Sequence, residues 1–248
     1  MKKLFAIVLA SFLCLLLSAP IAEAKNSNVP PKSDLVKVTE YTRFDKGKWT
    51  QKRNQGKRQD GNLGELSPSF SYSGIHWRSP AVTYKVDASN SGLDPASTLS
   101  AVNASFNTWE NEINSVGRPD TSIIDYTYNT SAVKTGGLVY DGENTVSWRP
   151  ISASGVIAQT TYWYNRKTRE IVEFDMVMNR SLQWATDGNA SAFDIQNIAT
   201  HEAGHTLVLN DLYKNGDNAL TMYGYSRLGE ISKRDLALGD CLGLEKIY

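Results

Sequence analysis

His201-Glu202-Ala203-Gly204-His205 constrains this chain more than any other stretch, because its chemistry only works on a helix. Residues four apart lie one above the other on a helix face, so two imidazole nitrogens can reach one Zn²⁺. Glu202, about 100° around the axis, stays close to the ion without ligating it. Two His and a Glu would also suit an ordinary polar helix face. The surroundings favour the metal: Asp194 stands where an N-cap belongs, and Ile195, Ile198 and Leu207 supply an apolar side.

A catalytic zinc usually takes three protein ligands and leaves a fourth place for water. The chain has three His, and the remaining one, His76, lies far upstream without a metal spacing and reads as an ordinary strand or loop residue. Asp211, six residues beyond His205, is the better third ligand if the helix ends near Leu209 and the chain turns back.

From His201 to Asp211 the pattern is H-E-x-x-H-x-x-V-x-x-D, followed by Thr221-Met222-Tyr223-Gly224-Tyr225. This resembles the metzincin metallopeptidases, whose extended motif carries a third His or Asp and is followed by a turn with a Met beneath the metal. Four stretches are similar to the matrixin branch: Asp141 to Trp148, Ile157 to Thr161, Glu173 to Asn179, and the close from Asp235-Leu236 to Ile247-Tyr248. The likeness covers roughly residues 72 to 248. Asp as third ligand is similar to the small secreted bacterial peptidase snapalysin.

The resemblance implies an α+β, metzincin-like domain: a twisted mixed sheet, two long helices above a cleft, and a small C-terminal subdomain with a final helix. It also implies a zinc metalloendopeptidase acting on peptides or proteins, with one catalytic Zn²⁺ on His201, His205 and Asp211. A zinc-activated water would attack the peptide carbonyl while Glu202 takes up its proton and hands it to the leaving amine. Met222 would form an apolar floor, and Tyr223 and Tyr225 would border the pocket beyond the scissile bond. Where the family has a helix-ending Gly, this chain has Val208. A β-branched residue pays on the order of 1–2 kcal/mol for a left-handed backbone, so the turn is expected at Asn210 instead. A gluzincin-like arrangement would use Glu230 as third ligand, but the sequence around Glu230 lacks that clan's pattern.

Met1-Lys2-Lys3, the apolar run from Leu4 and the close Ala22-Glu23-Ala24 read as a secretory signal peptide over 1–24. Its removal takes Cys14 and leaves Cys241 alone, so a secreted, extracellular and monomeric product would have no internal disulfide. Cys241 reads as a small core residue. No other stretch is apolar enough to span a bilayer, so no membrane association is expected after signal removal.

Residues 25–70 carry ten Lys or Arg against five Asp or Glu, whereas 71–248 carry fourteen against twenty. The first segment, with Lys52-Arg53 and Lys57-Arg58, is too polar to fold alone and reads as a basic, flexible pro-segment or linker before a catalytic domain over 71–248. It has no Cys to cover a zinc, leaving Asp34, Asp45 and Asp60 as its Asp residues for that task. The chain has no nucleic-acid motif, and nucleic acid is not expected as a partner.

Within the catalytic part, alternation predicts a strand at 81–86, further strands at 123–128, 145–148, 155–164 and 170–178, and a turn at 165–168. Asp94-Pro95 opens a helix to about Ile113, with Leu99, Val102, Phe106, Trp109 and Ile113 as its apolar stripe. The last helix is expected over 236–244. Asp141, Asp175 and Asp187 offer hard oxygen ligands for Ca²⁺, although no complete loop motif accompanies them. The rival reading is an exported zinc-binding surface or interaction protein with little proteolysis, with Val208 as the sign of drift.

Overall fold

The computed structural model describes residues 30–44 and 66–248. The expected signal peptide at 1–24, Asp45, Asp60 and the basic pairs at 52–53 and 57–58 lie outside the described residues. In chain order the strands are β1 (Leu35–Phe44), β2 (His76–Trp77), β3 (Ala81–Asp87), β4 (Asp125–Tyr128), β5 (Thr145–Arg149), β6 (Val156–Asn165), β7 (Glu170–Asn179), β8 (Trp184–Ala185), β9 (Phe193–Asp194) and β10 (Tyr225–Ser226). The helices are α1 (Pro95–Glu110), α2 (Ile195–Thr206) and α3 (Leu238–Ile247).

The main sheet runs β10-β1-β6-β7-β5-β3-β4, with β2 pairing β7. It is mixed: β3, β4, β5 and β7 pair in parallel, while β6 pairs antiparallel with both β7 and β1. Alternation works as expected in β3, where Val82 and Tyr84 are buried between exposed Ala81 and Thr83. β7 is buried along most of its length because both faces are covered. Phe174 faces α1, stacking on Phe106, while Glu173 and Asp175 meet the loop at 138–144 on the other side.

Helices α1 and α2 pack together over the first of these faces. Trp109 Nε1 donates to the Thr200 carbonyl at 2.7 Å, and Ser105 Oγ donates to that of Gln196. The Asp94 carboxylate caps α1 by accepting from Ser97 N, as its position suggested. The helix stops at Glu110, three residues short of expectation. Glu112 takes a left-handed backbone (φ 42°) and turns its buried carboxylate to Thr121, which leaves Ile113 40 % exposed and off the apolar stripe. α3 is shifted towards the C-terminus by two to three residues, and Cys241 and Leu244 on it are fully buried with Leu236 just ahead.

The largest departure is β1. Residues Leu35–Phe44, expected to be flexible with the rest of 25–70, form a ten-residue strand registered on the whole of β6. Composition averaged over the long segment hides a local run of β-branched and aromatic residues, Val36, Val38, Thr39, Tyr41 and Thr42. The strand does not fold alone; β6 and β10 supply its ladder. Among the described residues, no helix is long and apolar enough to cross a membrane.

Candidate active site

Asp194 begins α2: its Oδ1 accepts from Asn197 N at 2.9 Å, and Arg234 grips the same carboxylate. The helix is buried on nearly every side, and His201, Glu202 and His205 are all 0 % exposed. Gly204 is needed for close packing. A Cβ there would lie 2.2 Å from the Met222 sulfur and 2.7 Å from the Trp109 ring. Met222 therefore sits directly against the helix turn between the two His, as expected of an apolar floor.

Each imidazole is oriented from its far side. His201 Nδ1 lies 2.7 Å from the Thr221 carbonyl, and His205 Nδ1 lies 2.7 Å from that of Leu209. A carbonyl can only accept, so Nδ1 carries the proton and Nε2 keeps its lone pair. His201 Nε2 and His205 Nε2 stand 3.1 and 3.6 Å from Asp211 Oδ1. All three atoms are buried and none has a hydrogen-bond partner. Such atoms cost free energy unless something satisfies them, and two imidazole nitrogens with a carboxylate oxygen suit Zn²⁺. Among the described residues this trio forms a group whose ligand atoms lie within 4.8 Å of one another.

The structure leaves the other metal candidates apart. His76 is exposed on β2. Glu230 spends its carboxylate on Ser226 Oγ, Arg227 N and Ser232 Oγ. Asp141 and Asp175 do approach each other through Glu173 and the loop at 138–144, whereas Asp187 accepts from Asn189 N elsewhere.

Val208 corrects the expected turn: it takes the left-handed conformation (φ 62°), and Asn210 does not. Leu209 N donates to Gly204 O at 3.1 Å and Val208 N donates to His205 O at 3.0 Å, the two bonds of a Schellman ending. The strain persists because its neighbours fix it. Val208 and Leu209 are each 1 % exposed, the Leu209 carbonyl holds His205, and Asn210 N donates to Ser71 O at 2.8 Å.

Several contributors had no clear mark in the sequence. Glu202 Oε2 accepts from Thr160 Oγ1 on β6, and Oε1 accepts from Thr42 Oγ1 on β1, both at 2.6 Å. Burial raises the Glu202 carboxyl above its ordinary range. Tyr213 Oη donates to Asp211 Oδ2 at 2.8 Å and packs its ring on Tyr225, which in turn touches Tyr223. The Asp240 carboxylate accepts from Thr221 N and Met222 N, tying the Met turn to α3. Lys233, fully buried, donates from Nζ to the carbonyls of Tyr223 and Tyr225. Burial lowers its ammonium below the usual lysine range. Only Gly204, within the pentad, carried a signal that sequence reading could have used.

The family model of the matrixins matches residues 76–248. No protein of curated function matches the chain.

Proposed function

The chain belongs to the matrixin family and is a zinc metalloendopeptidase, and from that premise we propose a division of labour among its residues and an extracellular place of work. His201, His205 and Asp211 hold the metal, and Glu202 moves the proton. The observation that carries this is the convergence of three buried, unpartnered ligand atoms beside a carboxylate on the same helix.

Zn²⁺ bound there would polarise the peptide carbonyl and lower the pKa of water toward about 7. Glu202 accepts the proton of the attacking water on one carboxylate oxygen and delivers it to the leaving amine. Desolvation, which raises its carboxyl, makes it a stronger base for that purpose than a solvated Glu. Thr160 holds the other oxygen and keeps the carboxylate from rotating. Tyr213 fixes the Asp211 carboxylate, and Lys233 and Asp240 brace the loop that carries Met222, Tyr223 and Tyr225. Extended peptides and proteins are the substrate class.

The signal-like leader at 1–24 supports secretion. Val208 lends nothing to a drifted, inactive binding protein, because it adopts the backbone that the family's Gly would adopt.

Glu202→Gln tests the assignment. Zinc content should stay at one per molecule while casein cleavage falls by about 10²–10⁴-fold. Full activity in Glu202→Gln would remove Glu202 from the proton transfer. N-terminal sequencing of the exported protein should give Lys25 as the first residue.

A further inference from the structure

β4 ends the main sheet on the side opposite β10 and pairs with β3. Asp125 N and Asn129 N donate towards β3, to Pro80 O and Tyr84 O, so the backbone of Tyr126 between them faces away from it. Tyr126 N donates instead to Glu110 Oε2 at 3.3 Å, which brings the last residue of α1 to the sheet's outer edge. Between helix and edge lies a cavity of about 380 Å³. Small-molecule sites occupy roughly 300–1,000 Å³. His201, Glu202, His205 and Asp211 do not line this one.

The sheet-side wall is aromatic. Tyr126 and Tyr128 alternate with exposed Asp125 and Thr127, so both rings share the face towards α1 with Tyr84. Tyr84 stacks on Phe106 at 4.0 Å and tilts against Tyr128 at 5.9 Å, which fixes the rings without a ligand. The helix-side wall is rich in acceptors. Asn103, Asn107 and Glu110 are spaced by four and three, so they share one face of α1. Asn103 Oδ1 accepts from Tyr84 Oη, and Asn107 Oδ1 accepts from Asn111 Nδ2, both at 2.8 Å. Those bonds set the amide orientations and leave each oxygen a second lone pair. Among the described residues that line the cavity, Glu110 is the charged one, with no Lys or Arg beside it. Burial, and after it the Glu110 charge and Tyr128, push the Tyr84 phenol above its ordinary range, so its hydroxyl stays a donor.

We infer that this cavity binds the side-chain ammonium of a lysine on a peptide or protein, at a place separate from the catalytic cleft. An ammonium brings three donors and no acceptor, which matches the Glu110 carboxylate and the two amide oxygens. Its apolar stem packs on the Tyr rings, whose faces attract a cation. An anion would meet the Glu110 charge uncompensated, and a neutral side chain would leave that charge without a partner.

The test is a titration of the full chain with Nα-acetyl-lysine amide, followed by two-dimensional amide NMR. Signals of residues 103–110 and 125–128 should shift with a dissociation constant on the order of millimolar. Nα-acetyl-norleucine amide, which keeps the four-carbon stem and lacks the ammonium, should leave them in place. Glu110→Gln retains an oxygen for Tyr126 N and removes only the charge, so it should fold as the wild type does and bind the lysine derivative about threefold or more weakly. Tyr128→Leu keeps apolar bulk without the ring and should weaken binding by a similar factor, about threefold. Equal shifts with the lysine and norleucine derivatives would overturn the inference, as would unchanged affinity in Glu110→Gln. Shifts confined to residues 201–225 would put the lysine in the catalytic cleft and overturn it as well.

Discussion

Two parts of this molecule bury several ionisable groups together, and they differ in where the lone pairs go. Around α2, His201 Nε2, His205 Nε2 and Asp211 Oδ1 converge with no partner. Beneath the other face of the sheet, Glu173 accepts from Asp141 N and Gly142 N, while Asp175 accepts from Val139 N and Thr145 Oγ1. The second set clasps a loop to β7 mainly with backbone donors, whereas the first offers open ligand atoms that suit a cation. In the clasp only Asp141 Oδ2 is left without a partner, so the difference is convergence: three unpartnered ligand atoms from three residues meet around α2, within 4.8 Å of one another.

The sharpest way to break the comparison is to remove ligands. His201→Ala and His205→Ala should each abolish tight zinc binding and activity together. Asp211→Ala should weaken zinc by more than the roughly 10–100-fold typical of a group that only supports a ligand, and Glu230→Ala should leave it unchanged. Competition with a chelating dye measures all four. An Asp211→Ala chain that binds zinc like the wild type while Glu230→Ala does not would move the third ligand to Glu230.

The clasp should respond to pH instead. Burial pushes Glu173 up to about 7 and Asp175 up to about 8, whereas both titrate near 4 in an unfolded chain. Between those values the folded state holds more protons, so the contribution of these two groups to stability is greatest below about pH 4 and is lost as pH rises through 7 to 8. Glu173→Gln loses an acceptor, because its amide NH₂ cannot take the second backbone hydrogen, at a cost of about 1 kcal/mol. It should therefore be less stable than wild type at pH 5 and recover part or all of the deficit at pH 8.5. Parallel thermal melts at the two pH values would show a constant gap if the carboxyl titrates normally.

The smallest effect belongs to the hinge between α2 and Asp211. Val208→Gly relieves about 1–2 kcal/mol of left-handed strain while giving up about 1.5–3 kcal/mol of buried side chain. Val102, equally buried but inside α1, has no strain to relieve. Val208→Gly should therefore cost less than half of what Val102→Gly costs in urea denaturation. Equal costs would mean that Val208 is not strained.

Local spacing decided much of this in advance. The pentad placed two imidazoles and a carboxylate on one helix, Asp194 and Asp94 marked two helix starts, and alternation located β3 and the β6–β7 hairpin. Each of these depends on residues within a few positions of one another, where helix and strand periods leave few choices. The turn at Val208 was misread because propensity favoured Asn210, while the surrounding contacts fixed it two residues earlier.

What only the tertiary structure decided is everything that links distant segments. Thr42 and Thr160 reach Glu202 from 160 and 42 residues away, and Asp240 reaches the Met turn from α3. The strand at 35–44 had a β-prone composition, but its partner could not be read from it. An edge accepts whichever strand satisfies its hydrogen bonds, and which segment does so is fixed by the packed sheet.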